Sequence, residues 1–300
     1  EPMTPEEREE ALAFLRSPNL VERLQQDLET LGYMGDEDAK LLCYLISVSR
    51  KLEKPMSGIL QSGSGAGKSY LAEFIAKLTP PDEVVLYSRL SQQALYHMPE
   101  DFLVHKLLML EERAGGEVAD YQIRTLQSSQ FLNQAIVVKD PSTGKLSTRS
   151  NRVNGPIAYL ETTTDLKLNP ENTSRCFEIP LDESSEQTRR IHLRQRNLKS
   201  LEGLLKQQHQ ETIVARHHRA QRLLEPVPVV IPYVEHLTFP DRWLRTRRDH
   251  ERFLCLIEVL AFLHQHQRPR KNYCGVDYIE ANRDDHGWAY RLAQRVLPNS

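Results

Sequence analysis

Cysteine is scarce in this chain, with only four in 300 residues: Cys43, Cys176, Cys255 and Cys274. They are too scattered for paired metal-ligand spacing and too few for a disulfide framework, so a reducing cytoplasm is the expected compartment. Long apolar runs are missing too. Ile157 to Leu160 and Val227 to Ile231 are among the longest, far short of the roughly 20 residues a bilayer span needs. No basic region leads into an apolar stretch at the N-terminus, so neither secretion nor membrane embedding is expected. There is no internal repeat and almost no net charge, −2 overall. The chain opens on Glu1-Pro2-Met3, which reads as a segment of a longer polypeptide with further domains expected outside it.

What is present is ordinary for a globular protein: 39% hydrophobic and 27% charged residues, enough apolar side chains to fill a sizeable interior. The length exceeds what one core usually organises, which predicts a core of roughly 200 residues with smaller helical parts attached. Charge is unevenly spread. Residues 1–48 hold eleven acids against four bases, and residues 186–271 hold seventeen Lys and Arg against nine acids. Solvated helix surfaces would explain this as well as a polyanionic partner would.

Residues 1–54 read as helical. Thr4-Pro5-Glu6-Glu7 is a start signal, Leu12, Leu15, Leu20, Leu24, Leu28 and Leu31 recur at near-helical spacing, and Gly32 and Gly35 break the run. A second helix follows Asp36, and the pair is expected to form a collar or lid. Residues 55–184 alternate short apolar runs with amphipathic stretches, as a parallel sheet flanked by helices requires. Strands are predicted at 57–61, 84–88, 107–111, 157–161 and 176–179. Gln134 to Val138 and Lys145 to Arg149 flank the turn-forming Asp140-Pro141-Ser142-Thr143-Gly144, which predicts a β-hairpin at about 134–150. Residues 185–300 are expected to be a helical, basic C-terminal lid region, with one long polar helix to about Leu224 and a final helical segment from about Arg242 to Gln267.

The most informative motif is Ser62-Gly63-Ser64-Gly65-Ala66-Gly67-Lys68-Ser69, set between the apolar run Gly58-Ile59-Leu60 and a helical pattern beginning at Tyr70. Strand, glycine-rich loop and helix in that order form a phosphate-binding loop. Its amides and the helix N-terminus cradle a triphosphate, with Lys68 on the β- and γ-phosphates and the Ser69 hydroxyl on Mg²⁺. Ser62 departs from the strict pattern, which has glycine there. Leu107 to Glu112 supplies the acidic strand such a loop needs: Glu111 is expected on the magnesium side and Glu112 as the base that activates water. Ile157 to Leu160 runs into Thr162 and Thr163, either of which is placed to hydrogen-bond the attacking water or simply to cap the strand. Arg175 precedes the next strand, expected on the same sheet edge, where it could project into a neighbouring subunit's nucleotide.

That order of parts resembles the AAA+ superfamily over roughly Asp36 to Arg196. The hairpin before the threonine-tipped strand resembles the insertion of the clade that includes minichromosome-maintenance helicases. More loosely, the wider chain, with Arg245-Thr246-Arg247-Arg248, is similar to the ATPase portion of large bacterial zinc-finger and primase-type proteins. The resemblance implies an AAA+ α/β fold with N-terminal helices and a C-terminal lid. It implies ATP and Mg²⁺, self-association into a ring or open oligomer, and work on DNA, single strands favoured. It also makes Arg247 or Arg248 a candidate second sensor contacting nucleotide.

The residues add some support of their own. Lys139, Lys145, Arg149 and Arg152 lie on or beside the hairpin, where they could meet phosphates or merely keep an edge strand soluble. Arg189, Arg190, Arg194, Arg196, Arg216, Arg219 and Arg222 could be a solvated face, and His217-His218 lacks partners at ligand spacing. The leading expectation is an ATP-driven DNA translocase or helicase module. The alternative is a regulatory, loader or defence-system assembly ATPase whose client is protein; a small-molecule kinase is a distant third.

Overall fold

The computed structural model describes residues 3–91, 93–111, 117–139, 141, 144–165, 168–201, 203, 210–240 and 246–297. The first helix, α1 (Pro5–Leu15), starts on a capping box in which Thr4 accepts from the Glu7 amide and Glu7 accepts from the Thr4 amide. Such a cap stabilises a helix by about 1 kcal/mol. Helix α2 (Leu20–Leu31) buries Leu20, Val21, Leu24, Leu28 and Leu31, and ends at Gly32 with φ 119°, a left-handed position that glycine takes without a Cβ clash. Helix α3 (Glu37–Ser49) differs from the collar expected of it. Every residue from Ala39 to Ser49 is buried, so it is an interior helix with no solvent-facing stripe.

Five strands form the central sheet: β1 (Ser57–Gln61), β2 (Val84–Tyr87), β3 (Lys106–Leu110), β6 (Ile157–Thr163) and β7 (Phe177–Pro180). Their order is β2-β3-β6-β1-β7 and every pairing is parallel, so all five C-terminal ends share one edge. Side chains alternate between faces. Leu60, Ala158 and Leu160 join the cluster containing α2, α3 and α4 (Lys68–Leu78). Ile59, Ile157 and Tyr159 join a second cluster with α5 (Glu117–Ser129). A parallel sheet covered on both faces requires this apolar, two-sided pattern.

Between α5 and β6 the chain makes an antiparallel ribbon, β4 (Phe131–Lys139) with β5 (Leu146–Asn154). It is longer than expected, and only Leu132 and Val153 at its root are buried. Beyond a short turn, α6 (Pro170–Thr173), the C-terminal part departs from a purely helical lid. The expected single polar helix is interrupted by a turn at 198–200, and its described residues include α7 (Ser185–Asn197) and α8 (Gln210–Leu223). The expected 242–267 segment appears as α9 (Thr246–Leu263). A small sheet in the order β8-β10-β9 joins β8 (Val229–Val230), which precedes α9, to β9 (Lys271–Tyr273) and β10 (Val276–Glu280), which follow it, and α10 (Arg283–Val296) ends the described chain. Among the described residues no helix is long and apolar enough to cross a membrane.

Part of the charge asymmetry is answered inside the molecule. Arg216 pairs with Asp27 at 2.7 Å, Arg219 with Glu7, Arg222 with Asp82, and Arg291 with Asp38 at 2.9 Å. The basic C-terminal third thus serves in part as counter-charge to the acidic start of the chain.

Candidate nucleotide site

At the C-terminal edge of the sheet, β1 runs into the glycine-rich loop and the loop into α4. Gly65 (φ 84°) and Gly67 (φ 92°) occupy left-handed positions, which a side chain would strain. Ser62 does not, so its replacement of the usual glycine leaves the turn intact. Lys68 opens α4 and is buried; its Nζ donates to the carbonyls of Ser62 at 2.7 Å and Gly63 at 2.6 Å. The amide of Gly63 donates to Glu183 Oε1 at 2.6 Å. The loop therefore holds a carboxylate of the same chain.

The loop suits a triphosphate. A Cβ built at Gly65 would meet nothing within 4 Å, and the side chains of Ser64, Ser69 and Tyr70 are exposed around it. Magnesium in phosphate sites takes one or two carboxylates plus substrate oxygens. Ser69 and Glu111, which follows β3 two strands away from β1 in the sheet order, are the candidates for that short protein set. Glu111 follows β3 directly, its amide bonded to the Tyr87 carbonyl at 2.9 Å and its carboxylate accepting from the Ser88 hydroxyl at 3.3 Å. Glu112, the expected base, lies outside the described residues.

Thr162 and Thr163 end β6 opposite Leu60 and Gln61, one strand away from the loop, and both are buried. Thr163 Oγ1 accepts from the Asp165 amide at 3.0 Å, a turn-capping role. Consecutive strand residues face opposite ways, so Thr162 points to the α4 face and Thr163 to the α5 face.

A second set of residues beside the loop is invisible to motif reading. Gly32 to Asp36, between α2 and α3, comes against α4: Tyr33 stacks on Tyr70 with ring centroids 5.8 Å apart, and its hydroxyl lies 3.8 Å from where a Cβ at Gly67 would be. Asp36 Oδ1 accepts from the Asp182 amide at 2.7 Å, which joins this junction to the end of β7. Burial raises the Asp36 carboxyl above its usual range, and the Asp182 carboxylate adds to the effect. Burial likewise raises the Tyr33 phenol, with Asp36 second. Next to them lies a cavity of about 420 Å³ lined by Gly35, Asp36, Leu42, Ile179, Leu181 and Arg291. Its size lies within the range of small-molecule pockets. The only sequence signal was the pair of helix-breaking glycines.

The arginines correct the sequence reading. Arg175 sits at the N-terminal end of β7, and in a parallel sheet that is the edge opposite the loop. Its Nε donates to Ser128 Oγ at 3.0 Å and its Nη1 to the Glu171 carbonyl at 2.6 Å. Arg248, at the start of α9, donates to Ser174 Oγ at this same far edge, and Arg247 beside it is exposed. Within one chain neither sensor candidate joins Lys68, because α9 packs against the N-terminal side of the sheet. Burial, then the like charges of Arg248 and Arg124, lower the pKa of Arg175. Several guanidinium groups thus crowd one edge.

On the ribbon, register divides the cations. Lys139 and Arg152 share one face, through their partners Leu146 and Asn133, and Arg149, opposite Ile136, lies on the other; Lys145 precedes β5. Arg152 lies over the Phe131 ring at 4.4 Å. Among the described residues no three or more His, Cys, Asp or Glu side chains gather as a metal group. No protein-family model matches the chain, and a search of curated proteins finds no match.

Proposed function

We propose that the chain is an ATP-hydrolysing motor module of the AAA+ type that acts on DNA and works as a ring or open oligomer. The observation that carries the reading is the loop itself. Left-handed Gly65 and Gly67 turn amides inward between β1 and α4, with buried Lys68 beneath and Glu111 at the same C-terminal sheet edge, after β3. Amides and a helix N-terminus favour anions, and the Lys68 ammonium supplies the positive charge that the β- and γ-oxygens require. Magnesium, when bound, would neutralise developing phosphoryl charge; Ser69 and Glu111 are the residues that would hold it.

The remaining groups take roles from their positions. Glu112 would accept the proton of the attacking water, and Thr162 or Thr163 would orient that water. Arg175 and Arg248 lie on the edge away from Lys68, which suits a guanidinium contributed to the nucleotide of a neighbouring copy. The hairpin extends the cations Lys139, Lys145, Arg149 and Arg152 from the core, and contacts of that kind bind phosphates without reading sequence.

Titration calorimetry with magnesium-ATP should register binding to the wild-type chain and none to Lys68→Ala. ATPase activity per chain should rise with protein concentration, as a site completed in trans requires. Heat from Lys68→Ala equal to wild type would remove the basis of the reading. One observation favours the protein-client alternative: the aliphatic side chains of Val137 and Leu146 stand 69% and 71% exposed near the hairpin tip. A partner captured only with ATP, and still captured after nuclease treatment, would support it.

A further inference from the structure

We infer that Ser128 is a positioning residue that couples the hairpin to the Arg175 guanidinium, so that a ligand on the hairpin changes how Arg175 reaches a neighbouring copy's nucleotide. This rests on the reading of Arg175 as a group acting in trans.

Arg175 has two anchors. One is the Glu171 carbonyl at 2.6 Å, a local bond four residues back along the chain; the other is the Ser128 hydroxyl at 3.0 Å, on a different element. Ser128 belongs to the last turn of α5, and after Gln130, which has φ 62°, the chain enters β4 at once. The returning strand closes on the same residue, since the Gly155 amide donates to the Gln130 carbonyl at 2.6 Å. Leu126 of α5 and Leu132 and Val153 of the ribbon root are buried in one cluster. Close-packed side chains transmit displacement instead of absorbing it, so the end of α5 and the root of the hairpin move as one body.

The base of the arginine is fixed to the same helix. Asn172 donates to Asp120 at 2.6 Å and accepts from Arg124 at 2.9 Å, both on α5, which holds α6 in place. The guanidinium of Arg175 meanwhile faces Arg124 and Arg248, with the Glu171 carboxylate on Arg124 at 3.4 Å. The Ser128 bond fixes the direction of a long, flexible side chain, and that direction changes when the bond shifts. Ser128 is itself exposed, so its hydroxyl has no part in the core.

The experiment measures kcat and KM for ATP with and without single-stranded DNA, at concentrations that permit assembly, for wild type, Ser128→Ala, Ser128→Thr and Arg175→Ala. Alanine is a better helix former than serine, so Ser128→Ala should fold. Ser128→Ala is expected to lose about tenfold of the DNA stimulation, the worth of one charged hydrogen bond. The loss should fall in kcat with KM unchanged, DNA binding by anisotropy should persist, and Ser128→Thr should restore the response. The inference is overturned by a Ser128→Ala stimulation ratio equal to wild type, by a loss that threonine does not rescue, or by a wild-type rate indifferent to DNA. Arg175→Ala separates the two levels: wild-type rates in that variant would refute the trans arginine itself.

Discussion

Glu183 is bonded to an amide of the very loop that phosphates are proposed to enter, so two anions compete for one cradle. Hydrogen bonds from an amide to a charged oxygen are stronger than those to a neutral one. Replacing the carboxylate by an amide in Glu183→Gln should therefore tighten magnesium-ATP binding by about fivefold, read by calorimetry. Equal or weaker affinity would mean that Glu183 supports the loop instead of obstructing it. Lys68 and Ser69 were legible in the sequence because consecutive residues set a loop's geometry. Glu183 was not, since it reaches Gly63 across 120 positions, and neither was Tyr33, whose stacking on Tyr70 arises only in the folded chain.

Among the elements, the five parallel strands could be read within about two residues of their ends, because strands buried on both faces are short continuous apolar runs bounded by turn residues. The hairpin was under-read. Both its faces meet solvent, so no apolar alternation marks where it begins, and Phe131 to Asn133 and Asn151 to Asn154 look like loop. α3 was misplaced because interior helices and surface helices share a period; what distinguishes them is whether the polar face is present, and here it is short. If the ribbon carries the phosphate contacts, Lys139→Ala/Lys145→Ala should lower the salt dependence of single-strand binding by about 1.4 in log-log slope, two contacts of about 0.7 each. Anisotropy titrations from low to moderate salt measure this, and an unchanged slope would move the contact elsewhere.

For the whole molecule, two arginines of the basic stretch, Arg216 and Arg219, pair with acids of the N-terminal helices, which sequence cannot tell from composition alone. At their centre is a buried chain of bonds: the Tyr44 hydroxyl donates to His217 Nδ1 at 2.9 Å, and His217 Nε2–H donates to Asp27, which also accepts from Arg216. A neutral imidazole satisfies both contacts. Burial lowers the His217 pKa from 6.5, and although burial works to raise Asp27, the bonds from His217 and Arg216 hold its carboxyl down. Both shifts have the same sign. The folded chain binds fewer protons than the unfolded one, so this stability is complete above about pH 6.5 and is lost as pH falls, first through His217 and then, in the carboxylate range, through Asp27. Urea melts at pH 7.5 and pH 5.5 should show a lower midpoint in acid, and His217→Gln should flatten that difference; identical pH dependence in the variant would exclude His217 as its source.

Asp27 and Arg216 stand 189 positions apart. Residues up to the end of α7 contain all five strands of the parallel sheet and the glycine-rich loop, yet none of the guanidinium groups that pair with Asp27, Asp82 and Asp38. The Asp27–Arg216 pair therefore closes a long loop around the sheet, and the entropic cost of such a closure grows only slowly with its length.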